Sequence, residues 1–431
     1  MDTDSDISTV LASLRLENET NGDIVNILYQ FEDYYERKLW HQLTLALEEF
    51  FFLTPEATPQ LKCKVYDLFV LQFANKLNPI KVVEFALCAY GDHPKQMLEK
   101  LLELRQLVEK EIRVAHYKPQ GSDEENERNE REMVATIEAT DAINYIDLNR
   151  ARYQLKLGDI DDAEAVLDKL AGRYDIGNGA VAVVDTATRG GKTAVLDPNQ
   201  RVAAAYYYTK YELHKLKKNY NETYRAGLLY LLSVDGTTLT PDQKVAICYD
   251  LGVAALLGDK IYNFGELILH EILSLIKDNQ YAWLYDLIVT LNQGNKPQFL
   301  HQLQASFPQL PLLKSHEEFL VRKITIMSLM ELISQQAATS NKSLLFDAIA
   351  RFTDIKQDQV ELLIIKCFAL DLIRGQIDQV NRMLHVTWLQ PRVLDLNQVK
   401  VLYNHLLNWD SHVELLARDV YANGGAIWAE N

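Results

Sequence analysis

Leu384-His385-Val386-Thr387-Trp388 alternates apolar and polar residues with a period of two. It is reached through Ile377, Val380 and a turn at Asn381-Arg382, which is the pattern of a β-hairpin. Working back from it, the spacing predicts helices over 358–371 and 346–352 and a single strand at Leu344-Leu345. Before these lie a polar break over 338–342 and a long helix over 318–335, with Leu320, Ile324, Met327, Leu332 and Ile333 near one face. Helix, strand, helix, helix, hairpin is the order of a winged helix, here assigned to residues 315–394. Everything before it reads as helical and one further helix follows. The fold class is therefore mainly α: a TPR-like α-solenoid, then the winged helix, then a long C-terminal helix.

Outward from that stretch, residues 1–117 read as helical hairpins. Ile7, Val10, Leu11 and Leu14 make a short first helix; Asp23 is placed to cap a second that carries Ile24, Ile27, Leu28, Phe31 and Tyr35. Further helices are predicted over 40–52, 60–77, 79–90 and 94–115, with Pro79 and Pro94 at first-turn positions. Residues 118–132 are a polar linker with a run of charges. Residues 133–314 are read as TPR-like repeats. Ala151, Gly158-Asp159, Ala163 and Leu167 fall where a tightly packed helical hairpin needs a small residue, a turn, a second small residue and an apolar one. Helices continue over 200–216, 222–233, 242–257, 264–276 and 281–291. Tyr206, Tyr207, Tyr208 and Tyr211 invite a base-stacking reading, but consecutive helical residues point in different directions, which favours packing. The glycine-rich segment 175–199 reads as an inserted loop. Its Gly190-Gly191-Lys192-Thr193 ends like a phosphate-binding loop, but that motif needs glycine at position 186, which is Thr186.

Composition narrows the function classes. Hydrophobic residues make up 48% of the chain and charged residues 24%, as in ordinary globular proteins. A net charge of -16 opposes contact with nucleic acid and anionic membranes. Asp2, Asp4, Asp6, Glu17, Glu19 and Asp23 exclude a basic-then-apolar leader in the first residues, and no apolar run has the length of a membrane span. Cys63, Cys88, Cys248 and Cys367 lie far apart in apolar helical contexts, as buried free thiols of a reducing compartment do. The expected location is cytoplasm and nucleus.

No histidine has a metal-ligand spacing with a second ligand, and neither a nucleophile elbow nor an activated cysteine is recognisable. We assign no catalytic, cofactor-binding or metal-binding residue and expect no enzyme. The winged helix makes a poor reader of nucleic acid. Its second helix, over 357–371, carries three acids (Asp358, Glu361, Asp371) against one base, Lys366. Residues 316–395 hold ten acidic and nine basic residues, so there is no positive footprint, although Arg374, Arg382 and Arg392 lie near the wing.

The informative remainder is the terminal segment, 395–431. Asp395 with Gln398 resembles a capping box, and Asn423-Gly424-Gly425 reads as a stop. Between them Val399, Leu402, Leu406, Trp409, Val413, Leu416 and Val420 recur at alternating spacings of three and four, an a/d seam. Such a stripe either folds back on the chain's own body or is covered by other chains. A helix on the order of 40 Å long outruns an 80-residue domain, which favours a bundle with other chains. Ile427 and Trp428 look like a further anchor. Leu384, Val386 and Trp388 are expected on an outer strand whose open edge accepts a neighbour.

Solenoid, winged helix and terminal helix in this order resemble the PCI-domain proteins, scaffold subunits of the proteasome lid, the COP9 signalosome and a translation initiation factor. Leu256-Leu257-Gly258-Asp259-Lys260-Ile261-Tyr262-Asn263-Phe264-Gly265-Glu266-Leu267 is similar to a run in the family of the ninth non-ATPase subunit of the 26S regulatory particle. Gly375-Gln376-Ile377-Asp378-Gln379-Val380 and Val386-Thr387-Trp388-Leu389-Gln390-Pro391-Arg392 are similar to that family's wing. The resemblance implies a non-catalytic scaffold in ubiquitin-dependent degradation. It also implies lid subunits as partners, through winged-helix edges and a C-terminal bundle, with the solenoid near the ubiquitin-receptor subunit. The alternatives are a PCI subunit of a related complex and a winged-helix nucleic-acid binder. For 258–266 it leaves two roles, a contact surface or a packed joint plugged by Tyr262 and Phe264.

Overall fold

The computed structural model describes residues 3–19, 21–54, 56–91, 93–115, 125–175, 200–234, 239–277, 279–337, 343–391 and 396–428. The chain divides into two units, one of 1–218 with 229–236 and the other of 219–228 with 237–431.

The first unit is helical: α1 (Thr3–Glu17), α2 (Gly22–Glu36), α3 (Trp40–Glu48), α4 (Pro59–Leu68), α5 (Pro79–Tyr90), α6 (Pro94–Ala115), α7 (Glu125–Leu157), α8 (Ile160–Tyr174) and α9 (Gln200–Leu216). Asp23 sits in the first turn of α2, where its charge suits the positive end of the helix, while the cap position belongs to Asn21. The expected helix 40–52 closes in a π-helical turn, Glu49–Leu53, and 60–77 breaks at Phe69 into α4 and a 3-10 segment, Val70–Lys76. Both irregularities aim aromatic rings inward. Phe31 stacks on Phe69 at 5.7 Å and meets the edge of Phe50 at 5.8 Å, and all three are fully buried. Helix α7 begins at Glu125, inside the segment read as polar linker.

The α7–α8 hairpin has the predicted chemistry. Ala151 and Ala163 are fully buried where the helices meet, and Gly158 takes φ +99° in the turn, a conformation that disfavours any side chain. The tyrosines of α9 pack. Tyr206, Tyr207 and Tyr211 are buried, Tyr207 donates to the Tyr174 carbonyl at 2.7 Å, and Tyr208 lies between Tyr230 and the Arg152 guanidinium. Of the inserted segment 175–199, residues 176–199 with the Gly190–Thr193 motif lie outside the described residues.

Helix α10 (Tyr220–Ser233) contributes residues to each unit. The second unit continues with α11 (Pro241–Leu257), α12 (Gly265–Leu269), α13 (Glu271–Lys277), α14 (Ala282–Gln293), α15 (Lys296–Ser306), α16 (Pro311–Ser315) and α17 (Glu317–Ala337). The expected helix 264–276 is two, because His270 turns extended and its Nδ1 accepts from the Ile272 amide at 3.4 Å. Helix α11 starts on a reciprocal cap: the Thr240 hydroxyl accepts from the Gln243 amide, and the Gln243 side chain accepts from the Thr240 amide. Thr240→Ala should lower the stability of this unit by about 1 kcal/mol, read as a shifted denaturant midpoint with unchanged slope.

After α17 come β1 (Ser343–Leu345), α18 (Phe346–Thr353), α19 (Gln357–Ala369), β2 (Ile373–Asp378), β3 (Met383–Leu389) and α20 (Leu396–Trp428). This is the expected winged-helix order. The sheet is antiparallel with strand order β1-β3-β2. Lys296, at the start of α15, donates to the carbonyls of Thr353 and Asp354, both at 2.9 Å, and so closes the end of α18.

Candidate assembly interface

The winged helix is built around Leu344, Phe346, Ile349, Val360, Ile364, Cys367, Ile373 and Leu384, all buried. Leu384 therefore belongs to this core and is unavailable to a partner. The expectation that Leu384, Val386 and Trp388 lie on an outer strand is corrected at Leu384, which β1 flanks; at Val386 and Trp388 the pairing among the described residues is with β2 alone. Met383, Leu384 and His385 face β1 on one side, and β3 faces β2 on the other. Alternation along one strand tells which residues point inward but not which strand lies in the middle. The outer strands are β1 and β2, each of which among the described residues pairs only with β3.

Strand β2 is shaped by a bulge at Arg374/Gly375. Arg374 grips Asp371 with two hydrogen bonds, 2.9 and 3.0 Å, and its guanidinium stands 4.6 Å from the Trp388 ring centroid. The same guanidinium holds the Asp371 carboxyl below the usual carboxylate range. Val386 is half-buried, and Trp388 is exposed at the strand's end, covered on one face by Arg374. At the wing tip Asp378 accepts from the Asn381 amide and side chain at 3.0 and 2.7 Å, leaving Val380 in solvent. Arg374 is thus engaged within the chain, Arg382 occupies a left-handed turn position, and Arg392 lies outside the described residues. The exposed face of α19 presents Leu362 and Ile365 beside Asp358.

Helix α20 carries the seam. Val399, Leu402, Leu406, Trp409, Val413, Leu416 and Val420 are all exposed, from 41% at Val413 to 65% at Trp409. Tyr403, Leu407 and Tyr421 are exposed as well, and at 100° per residue they widen the stripe to about half the helix circumference. That arc exceeds the narrow a/d seam of a two-stranded coil. The expected stop at Asn423-Gly424-Gly425 is not observed: α20 runs through it to Trp428. Glycine weakens a helix by about 1 kcal/mol but does not forbid helical backbone, so it ends one only where another conformation gains a partner. The Asp395 cap and the side chains of Ile427 and Trp428 lie outside the described residues.

Chemistry elsewhere is sparse. Among the described residues no group of three or more His, Cys, Asp or Glu side chains is placed to hold a metal ion. The four cysteines are free; Cys248 and Cys367 are buried, with thiols pushed up to about 12 by desolvation, whereas Cys63 and Cys88 are half-buried. No helix among the described residues is long and apolar enough to cross a membrane.

Comparison with known proteins agrees with this architecture. Residues 27–288 match the model of PSD13 N-terminal repeats, and residues 298–388 match the PCI domain. The 26S proteasome regulatory subunit RPN9 of Saccharomyces cerevisiae is 32% identical, covering 98% of both chains. The probable 26S proteasome regulatory subunit rpn9 of Schizosaccharomyces pombe is 33% identical over 92% of both. The 26S proteasome non-ATPase regulatory subunit 13 homolog A of Arabidopsis thaliana is 31% identical over 96% of both.

Proposed function

Because the chain belongs to the family of 26S proteasome regulatory subunits that join PSD13 N-terminal repeats to a PCI domain, we propose that it is a non-catalytic scaffold subunit of the regulatory-particle lid. It acts by binding other lid subunits, and its role in ubiquitin-dependent degradation is architectural. The observation that carries the scaffold reading is the apolar arc of α20, with seven seam residues in solvent. Water-exposed apolar surface of that extent marks a binding site for other protein. The width of the arc fits a groove between helices of a bundle better than one partner helix.

A second contact in this reading is the open edge of β2 and, separately, the end of β3 at Val386 and Trp388 that β1 does not reach, where a neighbouring winged helix adds its own surface. Leu384 is left out of it. The helical repeats face the ubiquitin-receptor subunit, and the protein resides in cytoplasm and nucleus. Purification of the tagged chain under native conditions, with the mass of the assembly measured, tests the proposal. The expected result is a stoichiometric particle containing the other non-ATPase subunits. A free monomer, or a particle held together by nucleic acid, would contradict it.

A further inference from the structure

Helix α17 contains a lysine that helical periodicity does not explain. Lys323 lies in the same buried helix as Leu320, Ile324 and Met327 and is itself 1% exposed. Its ammonium donates to the carbonyls of Ala255 at 2.7 Å, Leu256 at 3.2 Å and Gly258 at 2.6 Å. Ala255 and Leu256 end α11, whose last carbonyls have no partner inside the helix. Three N–H groups thus meet three acceptors, and a cation sits at the negative end of the helix.

Aromatic rings line the rest of the amine's surroundings. The rings of Tyr262, Phe264 and Phe319 stand 5.5, 5.3 and 5.7 Å from the Lys323 nitrogen. Tyr262 and Phe264 come from the connection between α11 and α12, and Phe319 comes from α17. On the other side of that connection the Asn221 side chain accepts from the Lys260 amide at 3.2 Å and donates to Asp259. Burial pulls the Lys323 amine well below the ordinary lysine range, to about 7, opposed by the charge of Asp259. A methionine would fill the same volume without desolvating an amine, so volume alone does not account for lysine at this position.

We propose that this pocket is a primary-ammonium site filled by the chain's own Lys323. It acts as a latch that ties the end of α11 and the connection 258–264 to the first helix of the winged helix. Lys323 is then a positioning residue: buried itself, it fixes the body from which the β2 edge and α20 are presented. This role rests on the assembly reading above, whereas the latch itself is tested on the free chain, so either can fail alone.

The test is amide hydrogen exchange of the full-length protein, with the first unit as internal reference. Lys323→Ala should speed exchange over residues 254–268 by about tenfold or more, the loss of roughly one strong hydrogen bond's worth of closure. Added n-propylammonium, which replaces the missing atoms, should restore protection, and 1-propanol should not. Restoration by both would overturn the proposal, since packing volume would then suffice, and so would unchanged exchange in the alanine variant. If that variant does not fold, Lys323→Met keeps the volume and decides the question. Faster exchange over the same residues supports the latch, and exchange equal to the parent's refutes it.

Discussion

Leu406→Glu combined with Trp409→Glu is expected to leave the isolated chain folded and to abolish its co-purification with other regulatory-particle subunits. Both side chains are more than half exposed on α20, so the monomer loses little; exposed substitutions of this kind change stability by about 0.5 kcal/mol or less. In a bundle the same residues are central. Burying a leucine or tryptophan contributes ~2–3 kcal/mol each, and a glutamate in its place adds the penalty of an unpaired buried carboxylate. Together they amount to ~5 kcal/mol or more, on the order of 10³-fold in affinity. Circular dichroism of the free variant and the subunit composition of tagged preparations read the two halves separately. A folded variant that still assembles at parental yield would count against the account.

The second large effect is expected at the bulge of β2. A Cβ on Gly375 would lie 2.1 Å from the His385 carbonyl oxygen, 3.1 Å from its carbon and 3.2 Å from the Val386 Cα. All three obstacles are backbone atoms of the paired strand, so no rotamer change relieves them. Gly375→Ala must therefore separate β2 from β3 locally. The loss should be ~3 kcal/mol, at the upper end of ordinary single-residue effects. For a unit of this size that corresponds to roughly 6–12 °C in melting temperature. An alanine variant melting with the parent would show that the strands are not held as described.

The winged helix was legible because its hydrophobic period changes from helical to alternating at Ile377 and returns to helical at Val399. Strand order was not, since the alternation of Leu384, Val386 and Trp388 is the same for a central and an outer strand. Helices α15 and α16 went unread because each buries few apolar side chains, Phe299 and Leu303 in the one and Leu313 in the other; their visible signals were Asn295 and Leu310 followed within two residues by proline. The seam of α20 was readable residue by residue, but its end was not, because glycine lowers the helical preference without deciding it. Lys323 was hidden for a related reason. A charge inside an apolar run is compatible with a solvated face until the carbonyls that receive it are located in another helix.

The central claim is that the apolar face of α20 is covered by other chains. The direct measurement is side-chain footprinting of Val399, Leu402, Leu406, Trp409, Val413, Leu416 and Val420 in the purified monomer and in the assembled regulatory particle. All seven should be labelled in the monomer and shielded in the particle. Equal shielding in the monomer would mean that the chain covers this face by itself, and the account would fail.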